Sequence, residues 1–240
     1  MSKSEVRISI ETATGRLRKL VLGQPDGALI GGEEDLIAAI GCSRNTIRQS
    51  ARMLEREGLL KVRRGKKGGY FGTRPDVGTI EEMFATYLDL IKIDRYDAVI
   101  MASALWVEAM RKAALRSREE IESVVLPVKK TIEALTGDEP FETIRDIELG
   151  FQSDLFDLSD SAYIKAIFEI NVAYSRRAYD SAPLGDDTSE HQSFTSNWRE
   201  AKLLEIGALI QRDPELAAIA AKYSRKIWNR RVRNRFLATS

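Results

Sequence analysis

The sequence predicts a mainly α-helical chain in two parts: a small N-terminal unit in which helices lead into a short β-hairpin, then a larger all-helical bundle. Three observations predict it. Helical segments before residue 58 are followed by two short strand-like runs around a glycine-rich basic turn. From Thr79 onward every long segment has helical period, and no alternating strand pattern occurs. Charge divides at the same place: residues 1–76 carry a net +6, residues 77–221 a net −12 and residues 222–240 a net +7, although the whole chain is only +1. A basic head on an acidic body points to a polyanionic partner for the head.

Each element has a local cause. The segment from Ser9 to Leu22 carries Ile10, Leu17, Leu20 and Val21 at near-helical spacing and ends in the turn signal Gly23-Gln24-Pro25-Asp26-Gly27. A short acidic helix follows from Glu33 to Ile40, with Leu36, Ile37 and Ile40 on one face and Gly41 as its stop. Ser43 stands where an N-cap starts the next helix, which runs to about Glu57 and closes at Gly58. Leu59–Arg63 and Tyr70–Gly72 read as strands, joined by Arg64-Gly65-Lys66-Lys67-Gly68-Gly69. Helix, turn, helix and basic hairpin within about 65 residues form the plan of a winged helix-turn-helix. We assign it to residues 1–74, with a linker at 75–78 and an all-α domain at 79–240.

In that second domain, Tyr87, Leu88 and Ile91 belong to a first helix, and Asp94 caps a second that reaches about Leu115. Ser117 with Glu119 and Glu120 marks a third start. Asp138-Glu139-Pro140 opens a helix to about Leu158, and Ser159 or Asp160 opens the next, with Ile164, Ile167, Phe168 and Asn171. Residues 181–196 are polar and read as a loop leading into another helix. Asp213-Pro214-Glu215 starts the last helix, which extends to about Phe236. Six or seven helices are expected in this bundle.

Composition narrows the function. The chain has 240 residues, 43% hydrophobic and 30% charged, enough for a small and a medium core. No run of about 18 apolar residues suggests a membrane span, and the polar N-terminus does not read as a secretion signal. The single cysteine, Cys42, excludes an intramolecular disulfide and a thiolate zinc site, and a cytoplasmic setting is expected. Cys42 falls in the turn between two helices, where a small packing residue is wanted. The single histidine, His191, falls in the polar 181–196 stretch and is expected at the surface. Asp186-Asp187 are read as solvated, and no catalytic residues are assigned, so no enzyme is expected.

The DNA-reading candidate is the helix that Ser43 begins. Arg44, Arg48, Arg52 and Arg56 recur every four residues and form one stripe, while Ile47, Ala51 and Leu54 form a separate apolar face. A recognition helix needs that separation, because one side packs on the domain while the other lies in the major groove. An arginine fork pairs with both acceptors of guanine. Ser43, Asn45, Thr46 and the first backbone N–H groups are placed to hold phosphate. Arg64, Gly65, Lys66 and Lys67 supply the hairpin contacts, with Gly65, Gly68 and Gly69 allowing close approach. A plain solvated face would instead pair the stripe with Glu55 and Glu57.

Residues 31–72 resemble the DNA-binding domain of the GntR family of bacterial regulators. The resemblance is carried by Glu33-Glu34-Asp35-Leu36, by Gly41-Cys42-Ser43-Arg44-Asn45-Thr46-Ile47-Arg48 and by Leu54-Glu55-Arg56-Glu57-Gly58-Leu59. It implies that Arg44 and Arg48 contact bases and phosphates. The family commonly has proline or serine, and then a basic residue, around positions 32 and 34; here Gly32 and Glu34 stand there, so the arginine contact at 34 is missing. The helical body resembles the effector domain of the FadR subgroup. Many members of that subgroup bind a metal through one Asp and three His. The aligned positions here are Glu148, Gln152, Lys202 and Ser224, which retain no histidine, so neither metal nor cofactor is expected.

Ser224-Arg225-Lys226-Ile227-Trp228 with Arg233 resembles the last helix of the fatty-acid-responsive members. There the matching serine, tryptophan and basic residue serve an acyl-CoA site; Arg95 matches an effector-site arginine, and Tyr163, Ile167, Tyr174 and Arg177 fall in a similar stretch. The chemistry is coherent, since a CoA thioester needs cations for its phosphates and an apolar groove for its chain. Trp228 also suits core packing, and the basic tail suits a helix C-terminus or a DNA contact. A small carboxylate, aromatic acid or sugar acid is the alternative effector. Homodimers on paired operator half-sites are expected of such a head.

Overall fold

The computed structural model describes residues 8–65, 68–179 and 189–239, with side-chain surroundings described except at 95, 176–179 and 232–239. The chain divides into two compact units, Met1–Met83 and Phe84–Ser240.

The first unit contains α1 (Ile10–Leu22), β1 (Leu29–Gly31), α2 (Glu33–Ile40), α3 (Arg44–Arg56), β2 (Leu60–Arg63) and β3 (Gly69–Gly72). Ser9 caps α1 through its hydroxyl, which accepts from Thr12 N–H. Gly41 ends α2 in the left-handed region at φ 75°, which lets the chain reverse into Ser43. Ser43 then caps α3 by accepting from Thr46 N–H at 3.1 Å. Ala13, Leu17 and Val21 of α1 meet Leu36 and Ile40 of α2 and Ile47, Ala51 and Leu54 of α3, with Tyr70 of β3 closing the core. Within α1, Ile10 and Leu20 stay exposed, and Ala13 and Thr14 take the buried places instead. Cys42 is half-buried against this core, and burial pushes its thiol pKa up.

The sheet has strand order β1-β3-β2 and is antiparallel throughout. β2 and β3 are the expected hairpin, with Val62 opposite Tyr70 and Arg63 opposite Gly69. A Cβ on Gly68 would lie 2.4 Å from the Arg63 carbonyl oxygen, so only glycine closes this turn. β1 is an element that the sequence reading lacks. It pairs with β3 through Leu29 and Gly31 with an irregular register, and Leu29 is exposed, so no alternation of burial marks it. The expected linker is also shorter than read. α4 (Val77–Leu90) begins within it, because Asp76 accepts from Thr79 N–H at 2.7 Å and starts the helix.

The second unit continues with α5 (Arg95–Ala113), α6 (Arg118–Glu133), α7 (Phe141–Leu158), α8 (Ala162–Tyr179), α9 (Ser189–Gln211) and α10 (Pro214–Thr239). Asp94 caps α5, Ser117 and Glu120 form a reciprocal capping box on α6, and Asp213 accepts from Glu215 and Leu216 N–H at the start of α10. α5 packs on α8 and α10, and α9 lies against α10 and α6. Trp106 sits at the centre, with Phe151 and Phe156 edge-on at 5.8 Å. No helix among the described residues is long and apolar enough to cross a membrane.

Two expectations change in this bundle. The polar stretch read as a loop to Ser196 is helical from Ser189. His191 is consequently not a surface residue. Together with Phe194, Thr195 and Trp198 it occupies the inward face of α9, and its Nε2 lies 2.8 Å from the Glu139 carbonyl oxygen.

Candidate functional site

α3 presents two chemically distinct faces. Ile47, Ser50, Ala51 and Leu54 are buried, and Thr14 of α1 donates to Ser50 at 3.0 Å. On the outer side Arg44 and Arg48 are exposed by 59% and 58%, and Arg52 and Asn45 are exposed as well. Thr46 is half-buried, its hydroxyl 2.8 Å from that of Ser43. The residues read as the groove-facing stripe therefore do share one accessible face.

The acids that meet this stripe come from α2, not from the end of α3. Arg48 donates to Glu33 from Nε at 2.7 Å and from Nη2 at 3.0 Å. Arg44 reaches Glu33 at 3.1 Å and also pairs with Glu34. Tyr70 donates its hydroxyl to the same Glu33 carboxylate at 3.3 Å. Arg48 beside Glu33 holds that carboxyl below its ordinary pKa, while burial first and then Glu33 push the Tyr70 hydroxyl up. Glu55 accepts from Val62 N–H instead, and Glu57 pairs with Arg18. Glu33 thus bridges the two arginines and fixes their positions on the open face of α3. A phosphate replacing it would meet guanidinium groups already set in place.

Between α3 and the hairpin lies a cavity of about 650 Å³, lined among others by Arg48, Arg52, Arg63 and Arg64, with Glu33 and Glu55 as its acids. Gly65, Gly68 and Gly69 form its hairpin edge. Lys66 and Lys67 lie outside the described residues. The sequence alone does not single out Arg63. Its guanidinium stacks over Phe71 at 4.3 Å, which fixes it beside Arg64. Its place on the groove side follows from strand register, which composition does not reveal.

The sensor candidates are more scattered. Ser224 and Trp228 are one turn apart on α10; Ser224 is buried, and Trp228 stacks on Phe141 at 5.8 Å with Arg225 over its ring. Tyr174 is buried and donates to Asp89 at 3.2 Å, whereas Tyr163 is 75% exposed. Eleven residues separate these two tyrosines on α8, roughly 16 Å along a helix, so they do not share one small site. Arg95, Arg177 and Arg233 stand on α5, α8 and α10, and their side chains lie outside the described residues.

Of the four positions aligned with a metal-ligand set, Glu148, Gln152 and Lys202 belong to a buried ion cluster, and Ser224 is buried as well. The Lys202 ammonium lies 2.9 Å from Glu148 and 2.7 Å from Glu205, and Arg225 donates to Glu148 at 3.0 Å. Gln152 and Trp198 also donate to Glu148, and Trp106 donates to Glu205. Burial pushes the Glu148 carboxyl up, but Lys202 and Arg225 outweigh it and the net direction is down. For Glu205, burial and neighbouring Glu148 prevail, and the net direction is up. These residues do not fit a cation: the ammonium already supplies the positive charge, and Glu148 is taken up by four donors, from Gln152, Trp198, Lys202 and Arg225. Among the described residues no group of three or more His, Cys, Asp or Glu is placed to hold a metal.

No family model matches the sequence, and no curated protein sequence matches it. Solved structures do. GntR of Streptococcus agalactiae aligns over 93% of this chain and 100% of that one, with a TM-score of 0.66 and 18% identity. A putative GntR transcriptional regulator from Rhodococcus sp. RHA1 aligns over 94% and 97%, with a TM-score of 0.39 and 16% identity. E. coli McbR/YncC aligns over 97% and 100%, with a TM-score of 0.35 and 17% identity. The first likeness establishes a shared fold along nearly the whole of both chains, a winged helix-turn-helix unit followed by a helical one; the other two superpose too loosely to carry an argument.

Proposed function

We propose that this chain is a GntR-type transcriptional regulator that reads double-stranded operator DNA with α3 and its hairpin and senses a small molecule in its helical unit. One observation carries the first half. Arg44, Arg48 and Arg52 share the open face of a helix whose other face is packed, and Arg63 and Arg64 flank the same groove. That arrangement suits base-edge readout by the helix with phosphate contacts from the hairpin.

A palindromic operator and a homodimer complete the reading. Ile80, Met83, Phe84, Tyr87 and Leu90 repeat at helical spacing along α4 and are all exposed. A contiguous apolar stripe of this kind supports burial against a second copy. For the ligand, the tail resemblance favours an acyl-CoA, with a small carboxylate as the alternative. Commitment of Arg225 to Glu148 removes one cation that CoA phosphates would need and favours the smaller ligand. Titration of the native protein with both classes separates them.

The decisive experiment is a gel shift of the full chain on its own upstream DNA. A complex of two chains per site that weakens steeply with salt is expected. Arg44→Ala and Arg48→Ala should each lose roughly 5- to 150-fold in specific affinity if they read bases. Absence of a salt-sensitive complex removes the proposal; an unchanged footprint in both variants removes the roles of these arginines.

A further inference from the structure

Arg231 is the buried cation that the ion cluster does not account for. It is 4% exposed on α10, and its Nε has no hydrogen-bond partner. Its Nη2 approaches only His191 Nδ1, at 3.4 Å, and its guanidinium lies near the rings of Phe194 at 5.4 Å and Phe141 at 5.7 Å. The neighbouring His191 does not change this balance. Its Nε2 donates to the Glu139 carbonyl oxygen, which only accepts, and its Nδ1 faces Arg231, so the ring brings no negative charge. Among the described residues no carboxylate pairs with Arg231. A guanidinium taken out of water without a counter-charge is costly, and proteins seldom keep one unless something completes it.

A cavity of about 150 Å³ opens beside it, between α9 and α10. Phe194 and Ile227 form its apolar wall, Ser193 and Asn197 its exposed mouth, and Arg230 and Glu190 add one charge of each sign. With Arg231 included, the lining is left with a single positive charge. Nε and Nη2 make up the edge of an arginine that matches both oxygens of a carboxylate. A volume near 150 Å³ is the size that holds a body like benzene.

We infer that this cavity is a receptor for a small monocarboxylate with a compact apolar or aromatic body, its carboxylate on Arg231 and its body against Phe194 and Ile227. The site is distinct from the buried ion cluster, whose charges are already matched internally. Glu190 at the rim disfavours a multiply charged ligand. The carboxylate is thereby the effector class for the sensing half of the regulator reading, on which its biological role rests; the binding chemistry itself does not depend on DNA.

Benzoate is the probe, titrated calorimetrically into the native full chain, with benzyl alcohol as the neutral control of the same shape. Benzoate should bind at least about tenfold more tightly than benzyl alcohol. Arg231→Gln should lose about tenfold or more of that affinity. Because Arg231 is buried, Ser193→Trp provides a second variant that does not touch the interior: it fills the mouth from an exposed position, leaves Arg231 intact and should abolish binding equally. Equal affinity for the acid and the alcohol, no heat from benzoate into the millimolar range, or undiminished binding in Ser193→Trp overturns the inference. A gel shift on the same preparation keeps the two readings apart. A DNA complex with no benzoate binding removes only this site, and benzoate binding with no DNA complex removes only the regulator.

Discussion

Charges in the two units solve opposite problems. In the head, Arg44 and Arg48 are more than half exposed and meet Glu33 and Glu34 at the surface. In the helical unit, Lys202, Glu148 and Glu205 are at most 1% exposed and are tied together with Arg225 and two tryptophan N–H groups. The chemistry of the pairs is similar, but their energetics are not. Exposed pairs gain little in water and are screened by salt, so a phosphate replaces a carboxylate at small cost. Buried pairs have given up their hydration, so removing one partner strands the others. Burial, more than charge, therefore separates the part of the molecule free to exchange partners from the part that holds its shape.

The largest effect is expected where that contrast is strongest. Lys202→Met leaves Glu148 with Arg225 alone and Glu205 without a cation in the core. It should cost about 3–5 kcal/mol of the helical unit's stability, read from the denaturant midpoint at neutral pH. A loss below about 0.5 kcal/mol would show that the cluster is not holding the bundle, and the contrast with the head would fail.

A smaller effect tests the exchangeable side. Glu34 pairs with Arg44 and stands where the family resemblance has a basic residue. Glu34→Gln leaves Arg44 with Glu33 as its acid partner and removes a negative charge from the surface proposed to face DNA. Operator affinity should rise about fivefold at low ionic strength and converge on the native value at high salt, while the melting temperature hardly moves. Fluorescence anisotropy across a salt series measures both ends; unchanged affinity at low salt would place Glu34 away from the DNA path.

These two sites also mark how far the sequence could be read. The arginine stripe was legible, because its four-residue spacing and its separation from Ile47, Ala51 and Leu54 are properties of one helix. Its caps were legible too, since Gly41 and Ser43 act on adjacent backbone. Glu33 as the partner of Arg48 was not, because that contact joins residues fifteen apart across a turn. β1 escaped for a different reason: three residues with an exposed leucine leave no periodic trace. The start of α9 was hidden by polarity. His191, Phe194, Thr195 and Trp198 do fall at helical spacing, but a histidine and a threonine fill core positions and mask the apolar face. Arg231 had no signal of its own within the basic tail, where only tertiary packing distinguishes a buried guanidinium from a solvated one.

The smallest effect asks whether the contrast follows burial or merely the choice of unit, and Glu120 is the control. It is a solvent-accessible acid in the unit that also holds the buried Lys202 cluster, and it closes the capping box of α6. Hydrogen bonds from the Ser117 hydroxyl and backbone N–H, then from Arg116, push its carboxyl down to about 2. A depressed carboxyl stabilises the fold above its ordinary pKa and loses that contribution as pH falls toward the folded value. Native protein should therefore melt slightly higher than Glu120→Gln at pH 7, by no more than a few degrees, and the gap should narrow between about pH 4.5 and pH 2. The gap should also shrink with added salt, as for the exposed pairs of the head and unlike the Lys202 cluster. A gap as large as that of Lys202→Met, or one indifferent to both pH and salt, would tie the behaviour of these charges to the unit they belong to and not to their burial.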